Sequence, residues 1–249
     1  MHARFYAPDA NASGDLVTLP EEEAEHLTRV LRLATGDSVR VFNGRGLEFE
    51  GVIDQVTRGM VAVRVGQPSK PAPEPSVAIT LVQAVLKGDR MDAVIRDAVM
   101  LGAVAIIPIV TTRTEISLAA LARGHRQERW QRIAISSTKQ CGRAVVPCLH
   151  EARAFSAVPA AIDRLALPTP ALMLVEPNAS ADTIPFGALD LPRPSASSLL
   201  TGPEGGWTPE EIESANSVCR LVALGRRTLR AESMAAIGLT AAFTLWKEF

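Results

Sequence analysis

The sequence is poor in cysteine and histidine, and it has no long apolar run. Its three cysteines, Cys141, Cys148 and Cys219, form an odd set without a C-x-x-C pair. That excludes a disulfide scaffold and suits the reduced thiols of a cytoplasmic protein. Four scattered histidines show no ligand spacing, so no metal is expected. The apolar run "AVAIIPIV" has eight residues, against the roughly 20 that a bilayer-crossing helix needs, so no membrane span is expected. The start, "MHARFYAPDA", is polar, carries Asp9 and lacks the apolar stretch of a signal peptide. Net charge is nearly absent too: 26 Lys and Arg meet 27 Asp and Glu. A partner gripped over the whole surface by charge is thereby excluded.

What is present is unevenly placed. From Thr111 to Arg153 eight basic residues face three acids, and Arg220, Arg226, Arg227 and Arg230 form a second cluster with no acid among them. Local basic patches on a neutral chain fit a polyanion held at one place, although a solvated helix face would give the same pattern. Hydrophobic content of 47% and charged content of 21% are those of a globular chain, and 249 residues allow one large domain or two.

The organisation shifts at "QPSKPAPEPS", Gln67–Ser76, where four prolines in ten residues mark a stiff linker. Before it, Val39–Asn43, Leu47–Ile53 and Met60–Val65 alternate as strands, separated by "NGRG" and "TRG" turns. One helix, "EEEAEHLTRVLRL", is expected to bury Leu27, Val30 and Leu31. After it, the apolar runs "VAITLVQAV", "AVAIIPIV", "ALMLVE", "SSLLTG" and "RLVALG" alternate with helical patterns. That rhythm predicts an α/β domain with a parallel sheet covered on both faces. The last helix, "ESMAAIGLTAAFTLWKEF", is apolar almost all round and must be buried, in the core or in a subunit interface. The expected boundaries are a small β-barrel over 1–68, a linker over 69–76 and the α/β domain over 77–249.

In such a sheet ligands bind where loops leave the carboxyl ends of strands. Three loops qualify: Leu174–Asn178, Thr201–Thr208 and Leu224–Ser233. The second, "TGPEGGWT", leads into a complete helix start, with Thr208 as N-cap, Pro209 at the first position and Glu211 to close a capping box. Trp207 and Ile212 stand where a hydrophobic staple would. Yet the turn carries Glu204 where a phosphate cradle would want a lysine.

The pair "LLTGPEGGWTPEEIE" and "LGRRTLRAES" resembles the signature loops of the bacterial 16S ribosomal RNA (uracil-N3) methyltransferases, members of the SPOUT class. "ARFYAP", "HLTRVLRLATGDSVRVFNGRG" and "ERWQRIAISSTKQCGRAVVP" extend the similarity over nearly the whole chain. One departure stands out. After "LKGDRMD" the family has a helix ending Lys-x-x-Glu-Leu-Gly, whereas this chain has Asp97, Met100, Leu101 and Gly102 there.

The resemblance implies a PUA-like N-terminal barrel and a C-terminal α/β domain tied in a trefoil knot. It also implies a homodimer, a ribosomal RNA or small-subunit partner, and S-adenosylmethionine as cofactor. Carried over by position, the cofactor residues are Leu174, Val175, Glu176, Pro177, Thr201, Gly202, Pro203, Glu204, Gly205, Gly206, Leu224, Gly225, Arg227, Leu229 and Arg230. The residues agree with this, because a cationic, phosphate-free ligand needs no lysine and tolerates Glu204, and glycines admit close backbone approach. Methylation at N3 leaves negative charge on the uracil, which Arg227 or Arg230 would stabilise. Glu232 is a candidate proton acceptor, or else simply an acid favouring a helix N-terminus. For RNA contact the expected residues are Arg129, Arg132 and Lys139 along one helix, Arg143 just beyond it, and Arg4, Arg29 and Arg32 in the barrel. A ribose 2′-OH methyltransferase of the same class and a non-catalytic RNA-binding protein remain the alternatives.

Overall fold

A computed structural model describes residues 3–164 and 166–249. Residues 1 and 2 of the polar start lie outside the described residues. Two compact units emerge: residues up to Glu74 with Ile135–Val146, and Pro75–Ala134 with Pro147–Phe249. Residues 135–146 therefore join the first unit, which the expected boundary at 68 did not foresee.

The first unit holds β1 (Arg4–Tyr6), β2 (Leu16–Thr18), β3 (Ser38–Phe42), β4 (Glu48–Thr57) and β5 (Met60–Ser69), in the sheet order β1-β3-β4-β5-β2. The hydrogen-bonded path starts at β1 and ends at β2. β5 continues to Ser69, so the proline-rich stretch begins as strand. Helix α1 (Glu21–Glu25) passes into a π-helical turn, His26–Val30, closed by the Leu31 N–H bonding to the His26 carbonyl. The wider winding rotates the apolar face away from an α-helical register. Leu27 is buried, but Val30 is 68% and Leu31 41% exposed, contrary to expectation.

Residues 135–146 belong to this unit because buried charges fasten them there. The Arg4 guanidinium donates to the carbonyl oxygens of Thr138 (3.3 Å), Lys139 and Arg143 (2.8 Å), and to the Glu48 carboxylate (2.8 Å). It thus satisfies carbonyls that a helix end leaves unpaired. Lys139 donates to Glu23 (2.9 Å), and the buried Arg143 pairs with Glu74 (3.0 Å). Arg4, Lys139 and Arg143, expected at phosphates, are thus engaged with acids and carbonyls of this unit. A buried charge is retained only when it is paired, and here the paired partners are acids and carbonyls of the same unit.

The second unit contains β6 (Ala78–Ala84), β7 (Ala105–Val110), β8 (Cys148–Leu149), β9 (Arg153–Ala154), β10 (Ala171–Leu174), β11 (Ile184–Pro185), β12 (Ala196–Thr201) and β13 (Arg220–Ala223). The order is β11-β13-β10-β12-β6-β7-β8, with β9 also on β7, and each of these pairings is parallel. Its helices are α2 (Arg90–Leu101), α3 (Leu118–Arg123), α5 (Val158–Asp163), α6 (Pro209–Asn216) and α7 (Ala231–Leu245), with the first part of α4 (Arg126–Cys141), whose residues from Ile135 belong to the first unit. Helix α7 buries Ala235, Gly238, Leu239, Ala242 and Phe243. Gly238 is where it touches the sheet: a Cβ there would lie 2.5 Å from Leu174 Cδ1. A side chain there would have to push the Leu174 and Leu199 side chains aside, so glycine lets α7 lie close against β10 and β12.

Two outcomes follow for stability and reactivity. Glu48→Gln leaves Arg4 without its counter-charge in a buried setting and lowers stability by about 3 kcal/mol, read from urea unfolding of the full chain. An unchanged midpoint would remove the Arg4–Glu48 pair from the fold's supports. Burial pushes the Cys219 thiol up to about 12, whereas Cys148 is exposed. A neutral-pH thiol reagent therefore labels Cys148 in the folded protein and spares Cys219 until denaturant is added.

Candidate active site

The sheet order sets β13, β10 and β12 side by side, so their carboxyl ends deliver the three expected loops to one place. The turn after β12 is the most heavily supported. Thr208 accepts a hydrogen bond from the Glu211 N–H (3.3 Å) while Glu211 accepts from the Thr208 N–H (2.9 Å), completing the capping box. Glu211 also accepts the Thr112 N–H (2.8 Å), which fastens α6 to the loop after β7. From that loop Arg113 Nη1 donates to the carbonyl oxygens of Gly205 (2.8 Å) and Trp207 (3.1 Å). The Trp207 indole donates to the Leu174 carbonyl (2.8 Å), joining this turn to the end of β10. Gly202 lies against the same indole, with room for no side chain, since a Cβ would come within 3.0 Å.

Glu204 has a defined task. It accepts the Lys87 N–H (3.0 Å), from the segment linking β6 to α2, and an Arg90 N–H (3.0 Å), from the first residue of α2. Burial acts to raise its pKa, but the Lys87 and Glu204 backbone N–H groups and the Arg90 guanidinium outweigh that and hold it below the usual carboxylate value. It is an anion at neutral pH. Gly206 has φ +68°, which favours glycine, and a Cβ on it would stand 3.5 Å from the Glu176 carboxylate.

Between these loops lies an open cleft, at the strand ends where ligands of such sheets bind. Its lining includes Leu174, Val175, Glu176, Pro177, Gly202, Pro203, Glu204, Gly206, Leu224, Arg227 and Leu229, all expected from the sequence. Trp207, Thr228, Ala231 and Met234 line it as well. In the sequence Trp207 fits half of a staple and Met234 an apolar helix face, patterns that carry no hint of a ligand.

Four expected cofactor residues stand outside the lining. Thr201 Oγ1 donates to the buried Gln83 Oε1 (2.6 Å) within the sheet. Gly205 packs against the Arg113 side chain. Gly225 supplies the turn after β13 with φ +110°. Arg230 caps the start of α7 with its side chain 82% exposed. Glu232 occupies the first turn of α7, 3.9 Å from Arg230, where a carboxylate favours the helix dipole. Of the candidate catalytic groups, only Arg227 lines the cleft.

The expected RNA-contact residues divide. Arg29 and Arg32 are exposed, Arg29 in an i,i+4 pair with Glu25. Arg132 is exposed as well. Arg129 is engaged with Asp89 (3.0 Å) and Asp92. Arg113, counted in the basic stretch, serves the turn instead.

The chain's matches to known proteins follow the same division. A profile of an RNA methyltransferase domain matches residues 73–243, and one of an RNA methyltransferase PUA domain matches residues 19–65. The ribosomal RNA small subunit methyltransferase E of Synechocystis is 29% identical over 224 residues, covering 90% of this chain and 71% of that protein. Its Bacillus subtilis namesake is 27% identical, covering 88% and 86%. A solved ribosomal RNA small subunit methyltransferase E from Neisseria gonorrhoeae, bound to S-adenosyl methionine, is 29% identical at TM-score 0.85, covering 99% of this chain and 98% of that one. A Legionella pneumophila methyltransferase solved with the same cofactor gives TM-score 0.86 at 29% identity, covering 98% of each chain. The cleft at the ends of three parallel strands thus sits in a SPOUT-type domain, and the chain belongs to the RNA methyltransferase family, with that family's PUA domain before it.

Proposed function

We propose that this protein transfers the methyl group of S-adenosylmethionine to N3 of a uridine in small-subunit ribosomal RNA, a substrate that places it in the cytoplasm. The cleft's lining carries the reading: apolar walls, glycine-bounded backbone, two carboxylates and no lysine. With Glu176 and Glu204 against one arginine, Arg227, that lining favours a phosphate-free cation over a polyphosphate. When bound, the cofactor supplies an electrophilic methyl group on a positively charged sulfur. Leu174, Val175, Leu229 and Met234 offer apolar walls for an aromatic base, and Gly202 and Gly206 bring backbone close to it. Glu204, ionised and anchored, adds a negative field favouring the cation.

Uracil N3 carries a proton and lies on the pairing edge, so the base must be unstacked and unpaired to reach the cleft. That proton passes to solvent water before the methyl group is transferred, leaving charge on N3 and the flanking carbonyl oxygens. Arg227, at the cleft and fixed in charge, donates to those oxygens as the charge develops. Phosphate contact falls to the exposed Arg29, Arg32 and Arg132, with Arg226 beside the cleft.

The same chemistry is read as the work of a homodimer. Helices α2 and α7 expose a groove of Met100, Leu101, Ala236, Ile237 and Ala241, with Met100 40% and Ile237 42% exposed. Asp97 and Met100, which replace the family's Lys and Glu, both line it. An apolar groove on the outer face of an apolar helix fits a second copy of the chain.

Calorimetry with S-adenosylmethionine and mass spectrometry of ribosomal RNA nucleosides, with and without the gene, test the reading. Loss of 3-methyluridine is expected on deletion; loss of a 2′-O-methyl nucleoside instead would move the target to ribose. Arg227→Ala lowers kcat about a hundredfold in single-turnover assays, and wild-type turnover would remove Arg227 from the chemistry. Ile237→Glu converts the dimer to a folded monomer in light scattering. A monomeric parent would overturn the dimer.

A further inference from the structure

We propose that Arg113 is a positioning residue that sets the conformation of the cofactor turn without touching the cofactor. The inference rests on S-adenosylmethionine occupying the cleft described above. Arg113 does not line that cleft. Its Nη1 donates at 2.8 Å to the Gly205 carbonyl and at 3.1 Å to the Trp207 carbonyl, the two residues that flank Gly206. Gly206 does line the cleft and has the left-handed φ of +68°. A single guanidinium nitrogen therefore pins the peptide group before Gly206 and the one after Trp207, bracketing the turn's left-handed position.

The aliphatic part of the side chain is committed as well. A Cβ on Gly205 would come within 3.1 Å of Arg113 Cβ and 3.3 Å of its Cδ. The residue that carries Arg113 is itself fixed: Thr111 and Thr114 hydroxyls meet at 3.0 Å, and the Thr112 N–H bonds Glu211 at 2.8 Å. On the opposite side, Arg90 and the Lys87 N–H hold Glu204. Glu204 can relax through a flexible side chain, whereas Arg113 acts on the backbone directly. Charge-assisted bonds to carbonyls are the stronger kind, and preorganising a loop raises affinity by removing its ordering cost.

The test compares S-adenosylmethionine affinity by calorimetry, and KM for cofactor and RNA, in the full-length parent, Arg113→Ala, Arg113→Lys and Gly205→Ala. Arg113→Ala is expected to weaken cofactor binding about tenfold or more and to raise KM for the cofactor but not for RNA. Arg113→Lys, which keeps donors on a long stem, recovers part of the loss. Gly205→Ala, whose φ suits any residue, displaces the Arg113 stem and reproduces the defect with the guanidinium present. A residue serving stability alone would lower the unfolding midpoint and leave the ratio of the two KM values unchanged. Should Arg113→Ala fail to fold, the other two variants decide. A parent without cofactor affinity would defeat the assignment of the cleft. A parent that binds, with folded variants binding equally well, would overturn the role of Arg113.

Discussion

The bond from the Trp207 indole N–H to the Leu174 carbonyl, 2.8 Å long and buried, couples two of the three loops on which the cleft depends. Leu174 ends β10, and Trp207 ends the glycine turn that follows β12. A loop that recognises a ligand with its backbone must hold its shape before the ligand arrives, because ordering it on binding would consume affinity. An indole donor and a strand-end carbonyl, both withdrawn from water, can be satisfied only by each other. The close fit of Gly202 against the indole then fixes the ring, and the capping box of α6 fixes the residue that follows it. The third loop joins through α7, whose Gly238 lets the helix settle on Leu174 itself.

Charge is used locally rather than globally. Three settings of basic residues stand out on a nearly neutral chain. Arg4, Lys139 and Arg143 hold the first unit together from inside. Arg90 and Arg113 grip opposite sides of the glycine turn. Arg226 and Arg227 face outward at the turn after β13. Arg29, Arg32 and Arg132 are exposed too. A count of basic residues along the sequence does not separate these settings, because partners distant in the chain leave no local mark.

Much of the second unit could be read directly from its amino acids. Its long apolar runs became β6, β7, β10, β12 and β13, since a strand buried on both faces must be apolar throughout. Two- and three-residue strands such as β1, β2 and β8 carry no period to detect. The π-turn at His26–Val30 was hidden for a different reason. Its apolar spacing fits an α-helix, and only the wider winding exposes Val30 and Leu31. The segment 135–146 was assigned by its neighbours in sequence, whereas its partners Glu23 and Glu74 are distant in the chain.

The sequence by itself determined the strand–turn–helix unit around Thr208, the order of apolar strands and the three loops that meet at the cleft. These are local matters, decided by capping chemistry and by periodicity within a few residues. Tertiary structure alone decided which members of those loops face the cleft. It turned Thr201 toward Gln83 and Arg230 outward, and it brought Trp207 and Met234 in. It also gave Glu204 its partners and Arg113 its carbonyls. Such pairings join residues some ninety to over a hundred positions apart, and no local pattern records them.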